Sequence, residues 1–250
     1  MIRFMTRIPV PESTFPHIKP DFTTMAYALP IAGVIAALPA AILGYFALSV
    51  GLSPTIVAVL ILCALMLATG GLHEDGLADV FDGLGGGKTR EDKLEIMRDS
   101  RIGAYGTLAL IMSSMLRVGL LAAIISQVSS FGLVCILLAA AGFSRASLVW
   151  CWSALPAARD DGLSNRYGFP DTNQFWLAAG VAAIACLPMI LFALPVMTLP
   201  TAIILTGGPL WFFANLCRSQ IGGHTGDVLG ACQIIAEALF YLALLIAVGN

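Results

Sequence analysis

Gly71-Leu72-His73-Glu74-Asp75-Gly76-Leu77-Ala78-Asp79-Val80-Phe81-Asp82-Gly83 places four carboxylates and a histidine within thirteen residues of a chain that is otherwise mostly hydrocarbon. If the stretch from Leu72 to Asp82 is helical, Asp75 and Asp79 stand at i,i+4 and Asp79 and Asp82 at i,i+3, so all three share one face. Like charges at that spacing cost a bare helix about 0.2–0.5 kcal/mol per pair, and a bound cation removes that cost. Oxygen-only donors suit a hard ion such as Mg²⁺, which takes one or two carboxylates together with substrate phosphate oxygens. The competing reading is a solvated acidic helix end, and the stretch alone does not separate the two.

The rest of the chain supplies the context. With 58% hydrophobic residues, 11% charged residues and a mean hydropathy of +0.89, the composition excludes an ordinary soluble domain and indicates a multi-pass membrane protein. Apolar runs predict about seven spans, near residues 24–50, 54–70, 104–128, 131–154, 174–196, 199–217 and 231–248. The sixth is expected to kink or break at Gly207-Gly208-Pro209. Pro30 and Pro39 suggest a bend in the first. No small-residue cleavage site follows the first apolar run, so no cleavable leader is expected.

Charge placement sets the orientation. Eleven of the thirteen Lys and Arg residues fall in the N-terminal lead or in the loops holding Lys88 to Arg101, Arg159 to Arg166 and Arg218. These lie on one side of a seven-span chain, while the turns near Gly51, Ser129 and Thr198 carry no charge. The positive-inside rule makes the loaded side cytoplasmic. The acidic stretch cannot lie in lipid, because each central carboxylate would cost about 2.5–3.5 kcal/mol on the insertion scale. The second span must therefore surface near Gly70, with an acidic helix following at the interface. The expected fold is all-α: a polytopic integral membrane protein of about seven transmembrane helices, with active-site loops and short helices on the cytoplasmic face, in a single domain over residues 1–250.

Other segments on the same side carry polar chemistry. Gly83-Leu84-Gly85-Gly86-Gly87 is expected to end the acidic helix, and Thr89-Arg90-Glu91-Asp92 reads as a capping-box variant opening a short helix. Leu94 and Met97 would turn the apolar side of that helix to the membrane surface. Arg98-Asp99-Ser100-Arg101-Ile102-Gly103-Ala104-Tyr105-Gly106 combines two arginines, a serine and glycines at a helix start, as a phosphate site requires; a positive-inside flank is the alternative. Gly222-Gly223-His224-Thr225-Gly226-Asp227 is a second Gly-rich, Asp-bearing turn before a span, suited to a further metal ligand or a phosphate contact. The loop with Arg159, Asp160, Asp161, Asn165, Arg166 and Tyr167 is a cytoplasmic polar loop that either reads a substrate or is merely solvated, and the solvated reading is favoured. Arg117, Arg145 and Glu237 fall inside spans, where charges pair or face a cavity; a structural pair and a substrate contact are both open. The six cysteines include no C-x-x-C pair and read as small apolar residues.

A carboxylate helix, an Arg/Gly/Ser turn and a Gly/Asp turn on one face suit Mg²⁺-assisted phosphoryl transfer. At this point the sequence resembles the cobalamin synthase family. The resemblance is carried by Phe4 to Pro11, by His73-Glu74-Asp75-Gly76-Leu77-Ala78-Asp79 with Asp82-Gly83, by Leu94-Glu95-Ile96-Met97 running into Arg98 to Gly106, and by Gly222 to Ala231. It implies an inner-membrane, Mg²⁺-dependent adenosylcobinamide-GDP ribazoletransferase. There the ribose hydroxyl of α-ribazole, or of its 5′-phosphate, attacks the cobinamide-side phosphorus of adenosylcobinamide-GDP and GMP leaves. On that scheme we assign Glu74, Asp75, Asp79, Asp82 and Asp227 to Mg²⁺, Arg98 and Arg101 to the pyrophosphate, and His73 to general-base duty. Ser100, Gly103, Tyr105, Gly226 and His224 are assigned to substrate binding. Membrane lipid is an expected partner, nucleic acid is not, and a complex with other nucleotide-loop assembly enzymes is an open possibility. Two other readings stand: a CDP-alcohol-type phosphotransferase of lipid synthesis, whose signature has an Arg and a longer Asp spacing absent here, and a cation-coupled transporter. Transporters place coupling groups near the bilayer midplane, whereas nearly all charge here sits at one interface.

Overall fold

The Thr69-Gly70-Gly71-Leu72 corner divides the first third of the molecule. In the computed structural model, which describes residues 1–9, 21–160, 162 and 167–248, helix α4 (Pro54–Thr69) stops there and α5 (Leu72–Gly86) leaves at 90° to it. Gly70 and Gly71 both take left-handed φ values, 68° and 73°, which a side chain would strain. Their N–H groups close onto the Leu67 and Met66 carbonyls and so end α4. The N-terminal lead braces the corner: Arg7 N–H donates to the Ala68 carbonyl at 2.8 Å, and its side chain lies against Gly70. Val10 and Pro11 of that lead fall outside the described residues.

The other elements are α1 (Ile2–Met5), α2 (Phe22–Met25) running through a short turn into α3 (Leu29–Ser49), α6 (Arg90–Ile96), α7 (Ala104–Ile125), α8 (Ser130–Ala154), α9 (Thr172–Phe192), α10 (Thr198–Ile221) and α11 (Gly226–Val248). Among the described residues six helices are long and apolar enough to cross a bilayer, and the bent α4–α5 pair makes a seventh candidate. The protein is a multi-pass, all-helical membrane protein. Helix α4 has only 16 residues, about 24 Å at 1.5 Å per residue, short of a hydrocarbon core of about 30 Å.

Three expectations need correction. Of the kink or break expected in α10, the break is absent: the helix runs on across Pro209, since a helix in lipid keeps its remaining backbone bonds internal rather than exposing them. Helix α5 runs on through Gly83 to Gly86, one turn beyond its expected end, because α6 packs against it: Met97 lies on Gly83. That packing takes up the apolar side of α6, where Met97 is buried and Leu94 lies against the same core, so this side is not left for the membrane surface. The capping box of α6 is present, with Asp92 N–H donating to Thr89 Oγ1 at 3.1 Å and Thr89 N–H to Asp92 Oδ2 at 3.0 Å.

Connectivity gathers residues 70–103, 155–160, 167–172 and 221–226 at one end of the bundle. At the other end Ser49 and Ser130 share a hydrogen bond of 3.2 Å. The core forms two apolar clusters, one at each end. On α7 the boundary falls between Ala109 and Leu120, on α8 between Ala141 and Ala146, and on α11 between Ala236 and Phe240. Arg117, Arg145 and Glu237 occupy that boundary. An apolar cleft of about 390 Å³ between α8, α9 and α10, lined by Trp150, Phe175, Trp176 and Leu210, contains none of the candidate site residues.

Candidate active site

Where α5 meets α11 the two backbones touch at Gly76. A Cβ there would sit 2.8 Å from the Asp227 carbonyl oxygen and 3.0 Å from its Cα, so only glycine permits the crossing. The contact sets Asp227, in the first turn of α11, beside the α5 face that bears Asp75 and Asp79. Thr225 fixes Asp227 by donating its hydroxyl to Oδ2 at 3.0 Å while accepting from Val228 N–H at 3.2 Å. Burial pushes the Asp79 carboxyl up to about 7, and the charges of Asp227, Asp75 and Asp82 add to the effect.

Asp82 shares that face of α5 but is occupied. Its two oxygens accept from Gly103 N–H at 2.7 Å and Gly106 N–H at 2.8 Å, the first free donors of α7. It tethers the α7 N-terminus to α5, a position a negative charge favours. The Gly103 N–H assigned to substrate is the one Asp82 takes.

His73 and Glu74 do not join the carboxylate face. His73 lies about 160° around the helix from Asp75 and is buried. Glu74 Oε1 receives Arg117 Nη1 at 3.0 Å. Arg117 Nη2 bonds Glu237 Oε1 at 3.1 Å, and Glu237 Oε2 receives Gln233 Nε2 at 2.7 Å with Arg145 Nη1 at 4.0 Å. The intramembrane charges form a network centred on Arg117 rather than one isolated pair. His73 Nε2 and Glu74 Oε2 are buried without a partner among the described residues. This geometry removes Glu74 from the metal set and takes His73 out of reach of a nucleophile at Asp79.

The basic residues divide as well. Arg101 grips Asp99 in a fork, Nε–Oδ1 3.0 Å and Nη2–Oδ2 2.6 Å, and holds the Asp99 carboxyl down at about 2. Its side chain is 87% exposed. Arg98 and Ser100 are also exposed, and the Tyr105 ring lies against the backbone of Gly85. His224 is buried; its Nδ1 donates to the Leu155 carbonyl at 3.0 Å and its ring lies beside Phe169. It pins a loop, which leaves exposed Gly226 nearer the carboxylates. The described start of that loop, residues 156–160, is not the solvated segment expected. Ala157 and His224 form a parallel bridge, Arg90 Nη2 donates to the Ala158 carbonyl at 2.8 Å, and Arg159 brings its charge within electrostatic reach of both Asp79 and Asp227. Sequence reasoning named Arg159 but favoured a solvated role for it; its one signal was a basic residue just past a span end. Asp161, Asn165 and Arg166 lie outside the described residues.

The donor set fits a hard divalent ion. Asp75, Asp79 and Asp227 offer only oxygen, and the raised Asp79 carboxyl marks charge that nothing in the protein fully neutralises. Among the described residues no three acidic, His or Cys side chains close into a metal cage. Mg²⁺ does not need one, since it keeps waters and substrate phosphates in its shell.

Residues 1–245 match the family described as cobalamin-5-phosphate synthase. The chain belongs to that family. Curated relatives agree in length and name. An adenosylcobinamide-GDP ribazoletransferase of Sinorhizobium medicae is 41% identical over 99% of this chain and 95% of its own. Proteins of the same name from Rhizobium meliloti, 38% identical over 99% and 95%, and Azorhizobium caulinodans, 41% identical over 98% and 93%, match in the same way. No solved structure matches. The resemblance read from the cobalamin-5-phosphate synthase motifs is thus borne out, and the alcohol phosphotransferase and transporter readings are not favoured.

The Asp79 environment of this family member has a measurable consequence. Between its ordinary value of 3.8 and about 7, the folded protein holds a proton that the unfolded chain releases. Stability therefore falls as pH rises through that window. With divalent ions chelated, the melting temperature of the wild type should drop from pH 5 to pH 8 by more than that of Asp79→Asn. Equal drops would show that Asp79 does not titrate there.

Proposed function

We propose that this chain is an adenosylcobinamide-GDP ribazoletransferase, a phosphoryl-group transferase of cobalamin nucleotide-loop assembly. The observation that carries the reading is the Asp75–Asp79–Asp227 face beside Arg159, in a chain matched end to end by the family. The second substrate is α-ribazole or its 5′-phosphate. Its ribose hydroxyl oxygen forms a bond to the cobinamide-side phosphorus, the bond from that phosphorus to the bridging oxygen breaks, and GMP departs with that oxygen. The hydroxyl proton passes to solvent or to a site carboxylate. Asp75, Asp79 and Asp227 would hold Mg²⁺, which when bound supplies Lewis-acid charge to the phosphate oxygens. Asp82 anchors the loop that presents Arg98, Ser100 and Arg101 on the same face, where the two arginines are proposed to meet the outer phosphate of the GDP. By the positive-inside rule this face is cytoplasmic and the membrane is the bacterial inner membrane, where large polar substrates have access.

The test is GMP release by detergent-solubilised protein given adenosylcobinamide-GDP, α-ribazole 5′-phosphate and Mg²⁺. GMP and a corrinoid product should appear in equal amounts, and each substrate should be required. No release from well-folded protein overturns the reading.

A further inference from the structure

We propose that Arg159 is a further arginine that binds the substrate pyrophosphate, on the side of the carboxylate cluster, a role that rests on the transferase reading above. Position comes first. An isolated parallel bridge, with Ala158 N–H to the His224 carbonyl and His224 N–H to the Pro156 carbonyl both at 2.9 Å, sets Ala157, two residues before Arg159, against His224, three residues before Asp227. Arg159 is thereby delivered beside the first turn of α11, where Asp227 stands.

The loop is held from behind. Arg90 ties the Ala158 carbonyl at 2.8 Å to the Ile221 carbonyl at 2.9 Å, and Arg159 Nη2 itself donates to the Leu94 carbonyl at 2.7 Å. The guanidinium is therefore pre-positioned rather than waving from a loose loop, and its charge acts on Asp79 and Asp227 together. Arg117 and Arg145 are committed to the buried network and Arg90 to the two carbonyls, whereas Arg98 and Arg101 belong to the exposed segment ahead of α7.

A pyrophosphate carrying its metal to the three carboxylates meets Arg159 at the same place. The planar fork of Arg159 suits phosphate oxygens, and the N–H groups at the start of α11 face the same charge. A resting cation beside the carboxylates also lowers their repulsion until the metal and substrate arrive.

The experiment compares wild type, Arg159→Lys, Arg159→Gln and the exposed-surface variant Arg218→Gln as full chains in detergent. Two readouts are used: GMP release kinetics, and the rise in melting temperature on adding inorganic pyrophosphate with Mg²⁺. Arg159→Gln should lower kcat/KM by about 10²-fold, the scale seen when one transition-state donor is removed. It should also abolish the pyrophosphate-induced rise, with Arg159→Lys intermediate in both and Arg218→Gln like wild type. If Arg159 only anchors α6 through Leu94, both Arg159 variants melt lower yet keep the wild-type pyrophosphate shift and KM, and the proposal is overturned. Should Arg159→Gln not fold, Arg159→Lys decides on the same readouts. Wild type without GMP release would instead sink the transferase reading, while active wild type with fully active Arg159→Gln sinks only this one.

Discussion

Asp79→Asn is expected to lower kcat/KM for GMP release by about 10³-fold or more while leaving the protein folded. The carboxylate lies between Asp75, one turn back on α5, and Asp227, across the Gly76 contact, and its raised pKa marks it as the member most in need of a cation. Losing one preorganised electrostatic contact costs about 10²–10³-fold in comparable sites. On the proposed Mg²⁺ site the loss would remove both a ligand and its share of phosphate charge stabilisation. The neutral amide relieves the repulsion, so the metal-free variant should melt at or above the wild-type temperature at pH 8. Opposite signs for activity and stability separate this outcome from misfolding. Mg²⁺ should raise the melting temperature of the wild type and leave that of Asp79→Asn nearly unmoved. An active Asp79→Asn would move the metal off α5.

Arg117→Met should be the most destabilising single change in the bundle. Arg117 is 1% exposed and bonds Glu74 on α5 and Glu237 on α11, so it locks the acidic helix to the span that carries Asp227. Removing one partner from a buried ion network costs about 3–5 kcal/mol, because the remaining charge is stranded. The stranded group is Glu74, since Glu237 keeps Gln233 and Arg145. Adding Glu74→Gln to Arg117→Met should therefore recover much of the loss, read as a double-mutant cycle on melting in detergent. A purely additive pair would mean that Glu74 and Arg117 do not act together.

These two residues show how differently the site could be read beforehand. Asp79 was legible because an i, i+4, i+7 row of carboxylates in a chain of 11% charge has few explanations. Arg117 was visible as an intramembrane charge, but its partners are 43 and 120 residues away and no spacing rule reaches that far. Glu74 and His73 adjoin Asp75 in sequence and were grouped with it, yet helical rotation turns them to the opposite, buried side. Asp82 had the right face and the wrong neighbour, the start of α7. Arg159 looked like one more solvated loop charge until the Ala157–His224 bridge placed it by Asp227.

The sequence by itself determined the class and the chemistry: a multi-pass helical membrane protein of the cobalamin-5-phosphate synthase family, with polar loops at one end and an oxygen-rich helix after the second apolar run. Those properties are local, since apolar run length, turn residues and charge placement each act within a few turns of chain. Tertiary structure alone decided which acidic groups stay together on the open α5–α11 face and which are spent on the scaffold. That choice depends on helix rotation and on two close approaches, α5 against α11 at Gly76 and α5 against α7 at Asp82, which bring distant residues within hydrogen-bond range.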